Sequence, residues 1–600
     1  MSETQIEILS TEVLIVGAGG AGMRAAIEAS TFGAEVILLT KGQAARSGAT
    51  PMACPSYQAA FAMEDDRDSP GVAFEDTCYE GRYLGDENLI HALTHEATDR
   101  AMELRQYGVK YRLKENGNFL QVVHPGHSYE RNLVILGNGY AMAAGLRREV
   151  LRQQNIQLME DMVASRLLKD GDRIAGLIAL DMRRGQLVAI KARSVILATG
   201  GYPELWRWTD TEPGLTGEGV YLAYLAGADL VDLEMMLFYP TGLCYPSEVE
   251  GTLVQYEGLL TDQYCHGVML NGAGERFLPD KGPLPVRDVM MKLMFKEIEE
   301  GRATPHGGVY IDLRESPKTP QEIQSILREL DSLPYNQLTD LGVNVLEERI
   351  EVKPVTHYTL GGVRINEWAE TTVPGLFAAG EVSGNVHGAN RTSGNALAET
   401  QVFGRRAGIR SAEYARDNPA PAIDLAALQD EVKRVGDFLR EKKHAVRPID
   451  LKRKIKAIMH NHVYYRRDAQ GLNKAIEALQ SLRSDQVERI KAVGTPKIYN
   501  IEWEEAIEAV HMVDLAELVA AAALAREESR GHHWRKDFPA MRTAWEKHTI
   551  ARRVDEQDYV ITDAPVIRLK DRSLNRRAMD PNLQNLGVLT GYSQEYKSNR

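Results

Sequence analysis

An apolar segment that runs directly into a glycine-rich turn and then into an alanine-rich segment restricts the fold of this chain more than any other feature. It occupies residues 12–26, with glycines at positions 17, 19 and 22. Gly17 permits the tight turn, Gly19 lets the backbone approach a pyrophosphate, and Gly22 allows close packing of helix on strand. The helix N-terminus presents free N–H groups and a positive dipole to phosphate. The pattern predicts a dinucleotide-binding unit.

Three further apolar segments extend this prediction. Residues 35–40 form a second strand at the distance that completes a βαβ unit, although the acidic residue that usually ends this strand is replaced by Thr40 and Lys41. Residues 194–201 and 375–381 are further strands that end in tight turns. Strands so widely separated can close one nucleotide site only if another unit is inserted between them. The pattern therefore predicts an α/β fold with an insertion.

Composition limits the classes of function. A chain of 600 residues with 44% hydrophobic residues predicts two to four structural units. The net charge of −13 argues against nucleic-acid binding, since basic clusters are short. The N-terminus lacks a signal-peptide pattern, no segment reads as a membrane span, and the four cysteines form no CxxC pair. We therefore expect a cytoplasmic protein without a metal site of its own.

Several longer motifs carry a family resemblance. They lie at residues 387–397, 403–408, 238–242, 274–277, 287–289, 357–362 and 528–539. With these segments the chain resembles, over nearly its whole length, the flavoprotein subunit of succinate dehydrogenase and fumarate reductase and its relative L-aspartate oxidase. The resemblance implies an FAD-dependent oxidoreductase that passes hydride between the flavin and a small carboxylate substrate.

The predicted cofactor residues come from the glycine turn, the strand ends and the resemblance. The turn before residue 395 lets a helix N-terminus face the electron-rich flavin, and Glu381 can accept hydroxyl hydrogen bonds from a ribityl or ribose group. The predicted FAD-binding residues are Gly17, Gly19, Gly20, Gly22, Thr40, Lys41, Ser47, Gly48, Ala198, Thr199, Gly200, Glu218, Glu381, Asn395, Ala396 and Leu397.

The resemblance also assigns the chemistry. It places the proton donor on Arg287 and its relay partner on Glu257. Because arginine is a weak acid in water, this role requires a dry site, a neighbouring carboxylate and a strongly basic carbanion. His357 and Arg391 match the clamp on a substrate carboxylate, a task that suits the planar guanidinium group.

Three positions depart from the family pattern. Gly48 stands where members that form complexes carry a histidine linked covalently to the flavin, so we expect non-covalent FAD. Tyr239 and Tyr256 replace a histidine and a threonine that grip the second carboxylate of fumarate in the relatives. Since a phenol carries no positive charge at neutral pH, two hypotheses stand beside plain fumarate or succinate: a related unsaturated acid, or a dicarboxylate bound differently.

The resemblance also predicts the domain order. Residues 1–245 and 352–415 form a Rossmann-like FAD-binding domain, interrupted by an α+β capping domain at 246–351 that hinges over the flavin. A helical domain at 423–540 and a small C-terminal unit at 541–600 follow.

An iron-sulfur protein subunit is the expected electron partner, with any membrane association made through partner subunits. The alternatives are a soluble oxidase or reductase like L-aspartate oxidase, and a non-catalytic flavin electron-transfer subunit. Retention of the four residues assigned to chemistry and clamp argues against the non-catalytic alternative, and it disfavours a likeness to adenylylsulfate reductase.

Overall fold

The computed structural model describes residues 6–278, 284–330, 335–494, 496–555 and 558–569. The last 31 residues of the predicted C-terminal unit lie outside this range. Within it the chain forms fifteen α-helices and twenty strands. The helices are α1 (Gly20–Thr31), α2 (Ala49–Met52), α3 (Pro70–Glu80), α4 (Glu87–Gln106), α5 (Asn138–Val150), α6 (Glu218–Ala226), α7 (Tyr256–Leu260), α8 (Arg287–Glu297), α9 (Pro320–Leu330), α10 (Tyr335–Asp340), α11 (Asn395–Asp417), α12 (Leu425–Asp437), α13 (Pro448–His462), α14 (Ala469–Gln486) and α15 (Ile501–Ala525). The strands are β1 (Glu7–Val16), β2 (Val36–Leu39), β3 (Ser56–Gln58), β4 (Gln121–Val122), β5 (Asn132–Val134), β6 (Ile156–Met159), β7 (Met162–Asp170), β8 (Arg173–Asp181), β9 (Gln186–Leu197), β10 (Leu230–Val231), β11 (Met236–Leu243), β12 (Val268–Leu270), β13 (Val309–Asp312), β14 (Ile350–Thr359), β15 (Gly362–Val363), β16 (Leu376–Ala378), β17 (Arg466–Arg467), β18 (Trp534–Arg535), β19 (Lys547–Arg553) and β20 (Tyr559–Pro565).

The central sheet collects strands from three distant parts of the chain. Its order is β6-β2-β1-β9-β8-β7, and β16 also pairs with β9. The pairs β1–β2, β2–β6, β1–β9 and β9–β16 are parallel, whereas β7 and β8 run antiparallel beside β9. The four strands predicted to serve one nucleotide site therefore lie in one sheet, which confirms the α/β fold.

The turn between β1 and α1 needs its glycines for steric reasons. Gly17 has φ +108°, and a side chain there would place Cβ 2.2 Å from the carbonyl oxygen of Ala198 on the neighbouring strand. A Cβ on Gly22 would lie 1.7 Å from the carbonyl oxygen of Gly17. No other residue fits at either place, because real Cβ contacts at such distances do not occur.

The structure also contains a second sheet with an apolar core of its own. The sheet has the order β11-β14-β13-β12, and its core draws on residues 239–355. Strands β13 and β12 belong to the predicted capping insert, whereas β11 and most of β14 lie at residues predicted for the FAD-binding domain. The two longest strands of this sheet therefore come mostly from residues predicted for the FAD-binding domain, and its two shorter strands come from the predicted insert.

Helices α12 to α15 follow α11. The longest of them, α15, is apolar over much of its length and is buried on nearly all sides among α13, α14 and α6, rather than showing one apolar face. Its three buried acids are paired: Lys41 and Lys452 contact Glu508, Tyr221 donates to Asp514, and Gln480 donates to Glu517. Among the described helices, none combines the length and the apolar character that crossing a membrane requires.

A buried group of ion pairs, which we call the core ion network, joins residues that lie between positions 86 and 548 of the sequence. Arg526 contacts Glu234 at 2.5 Å, Glu528 at 3.0 Å and Asp232 at 3.1 Å. His548, on β19, bridges Asp232 at 2.5 Å and Asp86 at 3.1 Å. Burial alone would lower the pKa of His548, but the two carboxylates raise it to about 9. Strand β19 also pairs with β10, so the network and the sheet fix the C-terminal hairpin together.

Candidate functional site

One cavity of about 970 Å³ reaches from the glycine turn to the sheet that contains β11 and β14. Its wall includes Gly17, Gly19 and Gly20 at one end and Arg287 and Arg391 at the other. Residues that are hundreds of positions apart in sequence therefore face the same space. The cavity has a backbone-lined end and an end lined by charged side chains, and the two differ in chemistry.

At the backbone-lined end, the N-terminus of α1 faces the cavity. Helix α1 begins at Gly20, whose N–H donates to the hydroxyl of Thr50 at 2.9 Å. Gly19 precedes it in extended conformation and contributes no side-chain cap. Such an uncapped, glycine-lined helix start leaves room for a phosphate beside backbone donors.

A carboxylate from another element lies beside the end of β2, where the usual acidic residue is absent from the sequence. Lys41 lies immediately after β2 and forms ion pairs with Glu218, the first residue of α6, and with Glu508 of α15. Its ammonium group also donates to the carbonyl of Gly214 at 2.8 Å. Glu218 lines the cavity, so a carboxylate from α6 faces this space beside the end of β2.

Glu381 lines the middle of the cavity, directly after β16. Its Oε1 accepts hydrogen bonds from the N–H of Thr359 at 3.0 Å and from the Thr359 hydroxyl at 3.2 Å. Burial raises the pKa of Glu381 to about 7, although these two bonds oppose the shift. Helix α11 begins nearby after Gly394, which has φ +83°, and its residues Ala396 and Leu397 also line the cavity.

A β-bulge directs His357 into the charged end. Pairing between β11 and β14 changes from Leu237 with Tyr358 to Phe238 with Thr356, so His357 is the extra residue. Bulges of this kind redirect a side chain and are common beside active sites. The result is a histidine in the cavity wall within a strand whose neighbours keep the sheet intact.

His357 and Arg391, the residues predicted to clamp a substrate carboxylate, are in contact. Nδ1 of His357 donates to Asp210 Oδ2 at 2.8 Å, and Nε2 accepts from Nη2 of Arg391 at 3.1 Å. Burial lowers the pKa of His357 despite the neighbouring Asp210. Burial, followed by the positive charge of Arg287, lowers the pKa of Arg391 to about 10. The neutral His357 adds no negative charge, and Arg391 is repelled by the nearby Arg287, so this part of the cavity favours an anion.

Arg287 and Glu257 lie beside this clamp. Arg287 Nη2 is 3.5 Å from Glu257 Oε1, and the guanidinium carbon lies 5.0 Å above the ring of Tyr239. The phenol of Tyr239 donates to Glu257 Oε2. Burial is the largest influence on Arg287 and lowers its pKa, but the Glu257 carboxylate and, after it, Tyr239, Tyr256 and Cys54 together leave the pKa of Arg287 above its ordinary value. Among the described residues, its buried Nη1 has no hydrogen-bond partner.

Most of the predicted site residues share this cavity wall. Those that line it are Gly17, Gly19, Gly20, Thr40, Lys41, Ser47, Gly48, Ala198, Thr199, Gly200, Glu218, Tyr239, Glu257, Arg287, His357, Glu381, Arg391, Ala396 and Leu397. Gly22, Tyr256 and Asn395 do not line it. Gly22 packs beneath the glycine turn, the Tyr256 phenol points to the carbonyl of Pro285 at 3.4 Å, and Asn395 donates to Thr77 at 3.3 Å.

Comparison with known proteins decides the family. Residues 12–397 match the FAD binding domain family, and residues 452–577 match the fumarate reductase flavoprotein C-terminal family. The fumarate reductase (CoM/CoB) of Methanothermobacter marburgensis has one subunit that is 37% identical over 92% of this chain and 99% of its own length. Among solved structures, Mycobacterium smegmatis Sdh1 is 32% identical with a TM-score of 0.84, covering 94% of this chain and 95% of that one. The E. coli quinol fumarate reductase flavoprotein is 28% identical with a TM-score of 0.86, covering 95% and 99%.

The chain belongs to the fumarate reductase and succinate dehydrogenase flavoprotein family. It is therefore an FAD-dependent oxidoreductase, and the resemblance and the enzyme class predicted from sequence are confirmed.

The cavity of this flavoprotein fits FAD. Its volume of about 970 Å³ lies at the upper end of the range typical for ligand sites. Among the described residues, the buried hydroxyl of Thr199, in the wall after β9, has no hydrogen-bond partner. A Cβ added to Gly19 would meet only the Thr50 hydroxyl of the described residues, at 3.7 Å, so the space beside this backbone is open to a nucleotide.

Some wall residues of the flavoprotein were missed from sequence. They are His124, Asp210, Ser393, Lys452, Glu504 and Glu508, among others. His124 begins a His-Pro-Gly-His sequence, a turn signature that could have marked it. Asp210 carries no such signal, since only the folded chain brings it to His357. The helical-domain residues belong to amphipathic patterns that read as ordinary surface.

Proposed function

We propose that this flavoprotein interconverts a C=C and a CH–CH bond next to a carboxylate, as a subunit of the fumarate reductase and succinate dehydrogenase type. One observation supports this proposal most directly. The wall of a single cavity contains the glycine turn at one end and, at the other, the side chains of Arg287, Glu257, His357 and Arg391. When bound, FAD supplies the hydride chemistry of this reaction. The residues that would hold it are those of the glycine turn, Lys41, Glu218, Thr199, Glu381 and the start of α11.

In this proposal Arg391 and His357 orient the substrate through one carboxylate. Arg391 has a buried Nε without a hydrogen-bond partner and a depressed pKa, so an incoming carboxylate would satisfy a donor and relieve positive repulsion. Asp210 keeps the proton of His357 on Nδ1 and thereby fixes the ring. Orientation by a rigid pair of this kind places the double bond rather than merely raising affinity.

Arg287 then delivers a proton to the substrate carbon, and Glu257 returns a proton to Arg287. The separation of 3.5 Å between Nη2 and Oε1 allows this transfer with a small movement. Tyr239 holds Glu257 by its phenol and supports the Arg287 guanidinium on its ring face. Because all three side chains are buried, water does not compete for the proton.

The identity of the substrate follows from what replaces the second-carboxylate site. Tyr256 does not line the cavity, and the phenol of Tyr239 is engaged by Glu257. The proposed substrate is therefore a related unsaturated acid, or a dicarboxylate whose second carboxylate binds differently. Rapid reoxidation of the reduced flavin at micromolar fumarate would overturn the altered-substrate part of the proposal.

The FAD is proposed to be held without a covalent bond. Gly48 lines the cavity with φ +82°, and nothing lies within 4 Å of a Cβ placed there. It has no side chain that could link to the flavin. Acid precipitation of the purified protein should leave the flavin in the supernatant, whereas yellow colour in the washed pellet would contradict this assignment.

The electron partner is proposed to be an iron-sulfur protein subunit. The described residues contain no cluster of side chains that could hold a metal ion. Repeated turnover of a flavin requires an external electron donor or acceptor. We place the complex in the cytoplasm, with membrane association made by partner subunits. Co-purification of a cysteine-rich partner would support this assignment over a soluble oxidase.

The central test is anaerobic flavin reduction followed by a panel of unsaturated acids. We expect at least one of them to reoxidise the flavin, and the Arg391→Gln variant to lose this response while keeping its FAD. Arg416→Gln, whose side chain is 71% exposed, serves as the matched control. An unchanged spectrum with every acid would instead favour the non-catalytic electron-transfer subunit, and reoxidation by oxygen alone would favour a soluble oxidase.

A further inference from the structure

A histidine that none of the predicted roles includes lies in the wall of the charged end. His124 lines the cavity, and its ring Nδ1 is 2.7 Å from the hydroxyl oxygen of Ser393, two residues after Arg391. Its other ring nitrogen, Nε2, has no hydrogen-bond partner in the described part of the chain. This side chain is therefore supported on one edge and open to the cavity on the other.

The local sequence explains why His124 is held there. Pro125 and Gly126 follow it, Gly126 has φ +91°, and the N–H of His127 donates to the carbonyl of His124 at 3.1 Å. Proline followed by glycine with positive φ is the signature of a type II turn. A Cβ on Gly126 would lie 2.9 Å from the Glu80 side chain, so the turn is also packed from outside.

A second contact ties the same turn to the clamp loop. The Nε2 of His127 donates to the carbonyl of Ser393 at 3.1 Å. Since His127 bonds the backbone of Ser393 and His124 bonds its side chain, the turn and the loop after Arg391 form one unit. His124 is thus positioned by the element that carries the carboxylate clamp.

We propose that His124 recognises a second acceptor group of the substrate, a carboxylate or carbonyl oxygen, by donating a hydrogen bond from Nε2. This assignment rests on the proposed function and deepens it. The two phenols at the family's second-carboxylate positions do not compete for the role, because Tyr239 bonds Glu257 and Tyr256 lies outside the cavity wall.

The pairing with Ser393 selects the useful tautomer. The serine hydroxyl can rotate to donate to Nδ1, which leaves the ring proton on Nε2. The histidine is neutral in its buried position, because burial lowers its pKa. A neutral donor suits a site where Arg287 and Arg391 already provide positive charge.

The test compares succinate with butyrate, which has a methyl group in place of one carboxylate. Their dissociation constants are measured on oxidised holoprotein from the perturbation of the flavin spectrum. His124→Phe keeps the ring volume without the donor, and we expect it to weaken succinate binding by about tenfold to a hundredfold while changing butyrate binding less than about threefold. His124→Gln restores a donor at similar reach and should recover most of the succinate affinity. Ser393→Ala should show a smaller loss in the same direction.

The outcomes separate the two proposals. Equal weakening of both ligands, or no change in either, would overturn the role of His124 while the proposed function stands on the acid panel. If wild-type holoprotein bound succinate no more tightly than butyrate, the assignment of His124 would be overturned. If its reduced flavin also reacted with no unsaturated acid, the proposed function would fail as well.

Discussion

Two buried clusters in this flavoprotein contain the same residue types but differ in whether their buried polar atoms have partners among the described residues. The core ion network contains Asp86, Asp232, Glu234, Arg526, Glu528 and His548, and the charged end of the cavity contains Asp210, Glu257, Arg287, His357 and Arg391. Within the described residues, none of the nitrogen or oxygen atoms in the network's side chains is buried without a partner. In the cavity, by contrast, buried atoms of Arg287, Arg391 and Asp210 lack partners.

The arginine pKa values express this difference. Burial lowers the pKa of both Arg526 and Arg391, but three carboxylates around Arg526 raise it above its ordinary value, whereas a second arginine near Arg391 lowers its pKa further, to about 10. Arg526 is surrounded by its own carboxylates and stabilises the fold, whereas the excess positive charge around Arg391 favours binding of an anion. Four measurements test this contrast.

The largest effect should follow substitution of the proton donor. Arg287→Gln should lower the rate of substrate reduction by about 10³-fold to 10⁴-fold, because a positioned acid is lost. Thermal stability and FAD content should remain near wild type, since Arg287 makes few bonds that the fold requires. Steady-state rates and the flavin absorbance of the purified protein measure both. Retained activity would assign the proton to another group.

Substitution in the core ion network should affect stability instead. Arg526→Gln removes the cation that the buried carboxylates of Asp232, Glu234 and Glu528 share. Although Asp232 keeps His548 and Glu528 keeps Arg530, Glu234 loses its ion pair with Arg526, so the free energy of unfolding should fall by about 3–5 kcal/mol. Denaturant titration measures the loss, with Arg440→Gln, whose side chain is 63% exposed, as control. If stability were unchanged and catalysis were lost, the division between the two clusters would be wrong.

The pH dependence of stability tests His548. Its folded pKa of about 9 lies above the unfolded value of 6.5, so its stabilising contribution is complete below pH 6.5 and is lost as pH rises through 9. The contribution should amount to about 3 kcal/mol at most. Unfolding free energies between pH 6 and pH 10 should fall accordingly, and His548→Gln should flatten this part of the curve. Parallel curves for the two proteins would contradict the charged state.

The smallest effect is expected for Tyr239 on β11, whose phenol bonds Glu257, the proposed relay partner of Arg287. Tyr239→Phe removes the bond to Glu257 and keeps the ring beneath Arg287. We expect kcat to fall by about tenfold with little change in KM, since the lost bond positions the acid rather than the substrate. A rise in KM with constant kcat would show that the phenol contacts the substrate, as the sequence first suggested.

Local signals made the nucleotide end predictable from sequence. The β1–α1 turn follows from three glycines and an apolar strand, each of which acts within a few residues. The pattern also suggested that β9 and β16 serve the same site, but not that β9 pairs with β1 and β16 with β9, because no local property links residues so far apart. The charged end was only partly predictable. The bond between Tyr239 and Glu257, the support of His357 by Asp210 and the position of His124 depend on side chains that meet across separate elements. The core ion network was missed for the same reason, since its members span residues 86–548.

The extra residue in β14 has a further consequence. The bulge at His357 shifts the register of everything after it, including Thr359, whose N–H holds Glu381. A deletion of one residue in this strand would rotate the histidine out of the wall and would also remove the support of the carboxylate proposed to face the cofactor. The proposed substrate recognition and the proposed cofactor placement therefore both depend on the length of this one strand.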